Sequence, residues 1–401
     1  MQTRLAEAIR DTDYGREAEG ILRSCVHCGF CNATCPTYQL LGDELDGPRG
    51  RIYLIKQLLE GTSVSRKTQL HLDRCLTCKS CETTCPSGVQ YGRLLDIGRR
   101  LVERQVSRDL PSRVLRKVLR LVLPYPQRLR PLLGLARIVA RFLPSWLRKK
   151  LPLAAVCVEW PQPRHDRVML VLDGCVQSSV SPQINLAAAR VLDKLGISLI
   201  RIRETGCCGA VSQHLSEPEE AAGFVRHNID VWWPWVESGT ECIVMTASGC
   251  GVMVRDYGEL LKHDPEYAGK ARRISELTRD LSEVLASEDL SVLDRANRGR
   301  VAFHSPCTLQ HGQRVEGLVE QILADTGYEL SPVANAHLCC GSAGTYSILQ
   351  ETLSERLLAD KVRTLEDGGP VLIATANIGC LLHLQSGTAL PVRHWVELLA
   401  D

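Results

Sequence analysis

An α/β protein in four parts is what the sequence predicts: a helical N-terminal module at 1–100, a basic helical bridge and linker at 101–166, and two repeated α/β units with parallel sheets at 167–299 and 300–401. Three observations predict it. Eight cysteines between Cys25 and Cys85 fall in two copies of one pattern, separated by a segment of helical periodicity. Residues 100–150 carry fourteen Lys or Arg against two acids, Glu103 and Asp109. Finally, Cys175, Cys207, Cys208, Gly209 and Cys250 recur as Cys307, Cys339, Cys340, Gly341 and Cys380, 132 residues later for all but the last, which is 130 later.

The N-terminal pattern reads Cys25, Cys28, Cys31, Cys35, Pro36 and then Cys75, Cys78, Cys81, Cys85, Pro86. This C-x2-C-x2-C-x3-C-P run is the bacterial ferredoxin signature for two 4Fe-4S clusters, in which the fourth cysteine ligates the other cluster. One cluster is therefore assigned to Cys25, Cys28, Cys31 and Cys85, the other to Cys35, Cys75, Cys78 and Cys81. Zinc favours two cysteine pairs closing a tetrahedron, and three evenly spaced thiols plus Cys-Pro suit it poorly. Helices are expected at 52–60, 68–73 and 89–106, so the module reads as an α-helical ferredoxin rather than the small β type. Arg49 and Arg51, in the turn before the first of these, either offset cluster charge or stand in solvent.

In the bridge, short helices at 111–123 and 131–143 interleave Leu, Val and Ile with arginine and end near Phe142, Pro144 and Trp146. A basic amphipathic stretch edged by aromatics suits an anionic membrane surface. A partner subunit, or a plain bridge with its apolar side packed inward, is the alternative. Proline-rich residues 151–166 lead into the repeats.

Each repeat runs strand, helix, strand, Cys-Cys-Gly turn, helix, strand. The first copy places these at 168–172, 183–195, 197–202, 206–209, 217–237 and 242–246; the second at 301–303, 317–325, 328–333, 339–341, 351–366 and 371–375. Short connections between such elements predict right-handed crossovers and a parallel sheet. The repeat cysteines then fall beyond the C-terminal ends of strands, the edge where open parallel sheets bind ligands. Cys175, Cys207, Cys208 and Cys250, and likewise Cys307, Cys339, Cys340 and Cys380, form a candidate metal or redox-active thiol site, because adjacent cysteines make a poor disulfide. Cys157 and Cys242 read as structural.

With 401 residues, 44% of them hydrophobic, the chain can bury several cores. Its 18 cysteines follow an N-terminus that is charged and has no apolar signal core, which points to a reducing, cytoplasmic compartment. No run reaches the ~18–20 apolar residues of a spanning helix, and nothing favours nucleic acid.

Two ferredoxin motifs followed by two Cys-Cys-Gly repeats resemble the iron-sulfur subunits grouped with heterodisulfide reductase and anaerobic glycerol-3-phosphate dehydrogenase. More narrowly, 26–31 (VHCGFC), 41–51 (LGDELDGPRGR) and 375–380 (TANIGC) resemble the iron-sulfur subunits of bacterial glycolate oxidase, and the resemblance covers nearly the whole chain. It implies an electron-transfer subunit of a glycolate dehydrogenase. FAD-containing partner subunits would oxidise glycolate and D-lactate-like 2-hydroxy acids, and this chain would pass the electrons through two 4Fe-4S clusters towards a membrane quinone, peripherally on the cytoplasmic face of the inner membrane. The chain has no Gly-rich dinucleotide fingerprint of its own, so FAD is expected only on a partner. Where heterodisulfide reductase has a fifth repeat thiolate, this sequence has Met253 and His383, which argues against noncubane clusters. His383 is a possible ligand, as are His304 and His337 near the repeat cysteines, though a lone histidine in such a place is more often a hydrogen-bonding group. The rival functions are a catalytic site within the repeats, as in heterodisulfide or glycerol-3-phosphate oxidoreductases, and a zinc-stabilised scaffold.

Overall fold

Residues 1–140, 159–293 and 299–400 are described by a computed structural model. Cys157, Phe142, Pro144, Trp146 and the first half of the 151–166 linker lie outside the described residues.

The N-terminal module is helical throughout. Helix Asp13–Ser24 is capped by the Thr12 side chain, Pro48–Leu59 starts on a proline whose missing N–H would have been unpaired there anyway, and Arg66–Asp73 begins in a Ser65–Thr68 capping box. Ile52, Ile55, Leu58 and Leu59 pack with Leu22, Leu72, Leu94 and Leu95 into one core, to which Cys25, Cys75 and Cys81 also belong. Helix Tyr91–Gln105 crosses the expected 100/101 boundary without a break.

Helices Leu110–Val122 and Pro126–Ala140 form the bridge. The second starts five residues before the expected 131, because Pro126 supplies its first turn and Pro131 is accommodated inside.

Each repeat builds a four-stranded, all-parallel sheet. The first contains β1 (Arg167–Val171), β2 (Ile197–Arg201), β3 (Ile243–Met245) and β4 (Thr278–Asp280) in the order β2-β1-β3-β4. The second contains β5 (Arg300–His304), β6 (Glu329–Ser331), β7 (Leu372–Thr375) and β8 (Val392–His394) in the order β6-β5-β7-β8. Strands β4 and β8 are additions to the expected three per repeat. Each is three residues long, with arginine at its centre, too short and too polar to announce itself by alternation.

The two repeats share a core. Val171, Ile184 and Val244 of the first belong to one apolar cluster with Val301, Ile322 and Trp395 of the second. Hydrogen bonds also cross between them: Ser248 N–H donates to Ala376 O at 3.1 Å, and buried His394 Nε2–H donates to Thr246 O at 2.8 Å.

Candidate metal centres

The two N-terminal cysteine loops have one backbone shape. The residues two and four after the leading cysteine take positive φ in both: His27 and Gly29 after Cys25, Thr77 and Lys79 after Cys75. Such turns direct successive amides towards the loop centre, where they meet anionic sulfur. Thr77 N–H already donates to Cys75 Sγ at 3.4 Å.

These loops enclose two neighbouring cavities. One is lined by Cys25, Cys28, Cys31 and Cys85, together with Cys81 and Arg49. The other is lined by Cys35, Cys75, Cys78 and Cys81, together with Arg51. Thus the fourth cysteine of each motif lines the cavity of the opposite motif, and Cys81, Pro48 and Tyr91 line both. Thiol donors around a cavity of this kind suit an iron-sulfur cluster. Burial pushes the Cys31 thiol up to about 11 and holds Cys78 and Cys81 well above the ordinary thiol range, so thiolate forms there readily only with cationic metal.

Arg49 and Arg51 have opposite fates. Arg49 is half exposed and pairs with Glu44 at 2.6 Å. Arg51 is fully buried: Nε donates to His71 O at 2.7 Å, Nη2 donates to Thr37 Oγ1 at 3.1 Å, and Asp46 lies 3.5 Å away. Asp46, itself buried, also meets His71 at 3.0 Å and Arg74 at 2.7 Å. A guanidinium held there leaves positive charge on the wall of the second cavity.

The cavities differ in outlook. Around the first, Cys28 is exposed, as are Val26 and Phe30 at 68% and 62%. The second is turned towards the repeats: Leu76 and Cys78 pack with Cys307, Cys339, Tyr346 and Leu353. Tyr346 OH donates to Arg74 O at 3.2 Å, Thr83 Oγ1 meets His311 Nδ1 at 2.9 Å, and Lys79 pairs with Asp256 of the first repeat at 3.2 Å.

In the repeats, the Cys-Cys-Gly turns end on glycines at φ +92° and +93°, Gly209 and Gly341. The structure brings each set of four thiols together as a chain of neighbours. Cys175 Sγ lies 3.3 Å from Cys207 Sγ, and hydrogen bonds from Cys207 and Cys250 hold Cys208 below the ordinary thiol range. In the second repeat Cys307 Sγ lies 3.8 Å from Cys339 Sγ, and Cys340 meets both Cys339 and Cys380, the last two thiols bordering the apolar cluster around Ala302 and Ile373. Cys242 is buried in the shared core, as its strand position suggests.

The histidines differ in their partners. His383 Nε2 meets Ser354 Oγ at 3.1 Å. His337 offers its carbonyl to His311. His304 is hydrogen-bonded at one nitrogen only, Nδ1 to Thr375 Oγ1 at 3.1 Å; Nε2 has no partner among the described residues. Burial pulls its imidazole down to about 3, so it is neutral at ordinary pH. Sequence reading passed over Lys361 altogether. It is buried beneath the second thiol set, donating to Asn335 O at 2.8 Å, and a lone Lys in an amphipathic helix gives no signal of this.

The bridge presents an inverted surface. Arg108 reaches Asp73 at 2.6 Å and Glu103 at 2.8 Å, Arg116 reaches Asp73 at 3.4 Å, and Arg120 reaches Glu217 and Glu220 at 2.8 and 2.7 Å. These arginines face the body of the protein, whereas Leu110, Val114, Val118 and Leu121 stand exposed. Leu119 and Leu129 turn inward, and the longer apolar stripe is left outward.

Comparison with known proteins agrees with this layout. Residues 21–89 match a family described as 4Fe-4S dicluster domain, and residues 169–255 and 301–385 each match the cysteine-rich domain family. Over 401 residues the chain is 54% identical to the glycolate oxidase iron-sulfur subunit of Escherichia coli K12, covering 100% of this chain and 98% of that one. It is 30% identical to the probable glycolate oxidase iron-sulfur subunit of Bacillus subtilis, covering 93% and 90%. Lactate utilization protein A of Shouchella clausii is 26% identical over 56% of this chain and 95% of its own. A crystal structure of a hypothetical protein from Helicobacter pylori shares the fold, with TM-score 0.57 at 12% identity, over 97% of this chain and 72% of that chain. With its dicluster module, its paired cysteine-rich repeats and full-length identity of 54%, the chain belongs to the glycolate oxidase iron-sulfur subunits.

Proposed function

We propose that this chain carries electrons within a glycolate dehydrogenase complex, from FAD on a partner subunit towards a membrane quinone, with glycolate and D-lactate-like 2-hydroxy acids as the substrates oxidised by the partner. The observation that carries the reading is the pair of adjoining thiol-lined cavities, each completed by a cysteine from the opposite motif. Cys25, Cys28, Cys31 and Cys85 are the ligands of one 4Fe-4S cluster, and Cys35, Cys75, Cys78 and Cys81 those of the other. Bound there, the clusters supply one-electron transfer over a short distance. The chain's own residues give the wire a direction. Exposed Cys28, Val26 and Phe30 form the face on which a flavoprotein docks, while Arg51 and the packing of Cys78 against the second repeat keep water from the inner cavity.

Membrane contact is part of the same proposal. Leu110, Val114, Val118 and Leu121 recur at helical spacing on the exposed side of the bridge, with exposed Arg113 and Lys117 beside them. From 110 to 158 the sequence contains no acid. Such a face suits the headgroup layer of an anionic bilayer on the cytoplasmic side. No helix among the described residues is long and apolar enough to span it.

The test is to assay the assembled complex with Cys28→Ser or Cys78→Ser. Glycolate-dependent quinone reduction should be lost while glycolate still bleaches the partner's flavin; quinone turnover that survives either substitution sinks the wire. Anaerobically purified chain should contain about eight irons and about eight sulfides.

A further inference from the structure

We propose that Arg51 Nη1 and Tyr91 OH donate hydrogen bonds to the sulfurs of the inner cluster, the one assigned to Cys35, Cys75, Cys78 and Cys81, and that these donors give it the higher reduction potential of the two. The inference rests on the two-cluster reading above and adds an order to it. An electron that enters at the exposed cavity runs downhill and comes to rest beside the second repeat.

Two buried donors without partners carry the argument. Arg51 is fully buried, Tyr91 is 4% exposed, and both line the second cavity. Arg51 already uses Nε on His71 O and Nη2 on Thr37 Oγ1. Nη1 has no hydrogen-bond partner among the described residues, and neither has Tyr91 OH. Donors orphaned at this depth are costly unless an acceptor meets them.

Ligand sulfurs are the acceptors at hand. Thr37 Oγ1, on which the guanidinium rests, lies 3.3 Å from Cys35 Sγ. Arg51 faces Cys75 and Cys35, and Tyr91 faces Cys75 and Cys81, all assigned to the inner cluster. A neutral thiol accepts hydrogen bonds weakly, whereas a metal-bound thiolate is anionic and accepts them well.

Reduction adds a negative charge, so donors and cations beside the sulfurs raise the potential. Arg51 and Arg74 share one buried carboxylate, Asp46, at 3.5 and 2.7 Å, which leaves a positive charge in excess. Arg99 donates to the carbonyl of Cys75 itself at 2.8 Å. Around the first cavity, by contrast, Arg49 is paired with Glu44 at 2.6 Å. His27 Nδ1 is unpartnered there too, but burial and Arg49 hold its imidazole below the ordinary value, so it is neutral and brings no charge. Burial alone would make the inner cluster the harder one to reduce; the guanidinium and the hydroxyl reverse that order.

The experiment is a potentiometric titration of full-length chain, purified anaerobically and followed by low-temperature EPR. Two one-electron steps are expected. Tyr91→Phe removes the hydroxyl and keeps the ring, so iron, sulfide and fold should be unchanged. Its higher step should fall about tenfold in electron-binding constant, which is about 59 mV for one electron, with the lower step in place. Arg51→Met, which also removes the charge, should lower the same step by more; should that variant shed the inner cluster, Tyr91→Phe still decides. Wild-type chain prepared in D2O should show an exchangeable-deuteron coupling in electron–nuclear double resonance that Tyr91→Phe weakens. A higher step unmoved in Tyr91→Phe, or a shift confined to the lower step, would overturn the proposal while leaving the two-cluster reading intact. Chain that binds fewer than two clusters would overturn that reading and this inference with it.

Discussion

Arg49 and Arg51 sit two residues apart in one helix, and replacing each by methionine separates a buried guanidinium from a surface one. Arg51 is fully buried with two short donated hydrogen bonds and a buried carboxylate 3.5 Å away. Hydrogen bonds to a charged group contribute about 1.5–3 kcal/mol each, and removing one partner of a buried ion pair costs about 3–5 kcal/mol. Methionine restores part of the stem packing, so Arg51→Met should destabilise the module by about 4 kcal/mol. Arg49 pairs with Glu44 where both side chains are over a third exposed, and such pairs contribute less than about 1 kcal/mol. With a urea dependence near 2 kcal/mol per molar, Arg51→Met should lower the midpoint for loss of visible iron-sulfur absorption by about 2 M and Arg49→Met by less than about 0.5 M. Equal midpoints for the two variants would refute the account of Arg51 as a buried keystone of the second cavity.

Other consequences can be checked on the same protein. His394 is buried, donates to Thr246 O and accepts from Val396 N–H, and burial pulls its imidazole down to about 4. Its depressed value means the unfolded chain takes up a proton first. Its contribution is therefore complete above about pH 6.5, shrinks as pH falls, and has lost about 3 kcal/mol by pH 4. His394→Gln should flatten that part of the stability–pH curve between pH 7.5 and 5, and an unchanged slope would dismiss it. At Gly341 an added Cβ would stand 2.6 Å from Ser354 O, against 3.1 Å from Ala221 O at Gly209. Gly341→Ala should thus cost about 3 kcal/mol and Gly209→Ala about half as much, read from circular-dichroism melts in denaturant. Val118→Asp with Leu121→Asp should leave stability within about 0.5 kcal/mol yet weaken sedimentation with phosphatidylglycerol vesicles about 100-fold; undiminished binding would remove the bridge from the membrane face.

Much of the cluster module was legible because its information is local. Ligand spacing in a loop of eleven residues is set by that loop, and the crossed cavities follow once two such loops meet. The fates of Arg49 and Arg51 were not legible, since a step of two along a helix rotates a side chain to the far face, and only the fold shows which face is covered. The bridge makes the same point more sharply. Its apolar stripe is plain in the sequence, and the ordinary expectation turns such a stripe inward. The acids that reverse it, Asp73, Glu217 and Glu220, lie far along the chain in other elements. Strands β4 and β8 escaped notice because three residues hold too little alternation, and their place is fixed by register against β3 and β7. His304 was visible as a residue near a repeat cysteine, but its bare nitrogen depends on Thr375 across the sheet.

The core shared by the two cysteine-rich repeats has a consequence for their divergence. Two identical molecules packed face to face must carry the same residue at equivalent positions, so any substitution in one pocket appears in the other. Joined end to end in a single polypeptide, the halves keep the common interior while each position becomes free to change alone. His304 with Thr375 in one repeat, against Leu172 with Met245 at the equivalent places in the other, is a difference that only such a fused pair can hold.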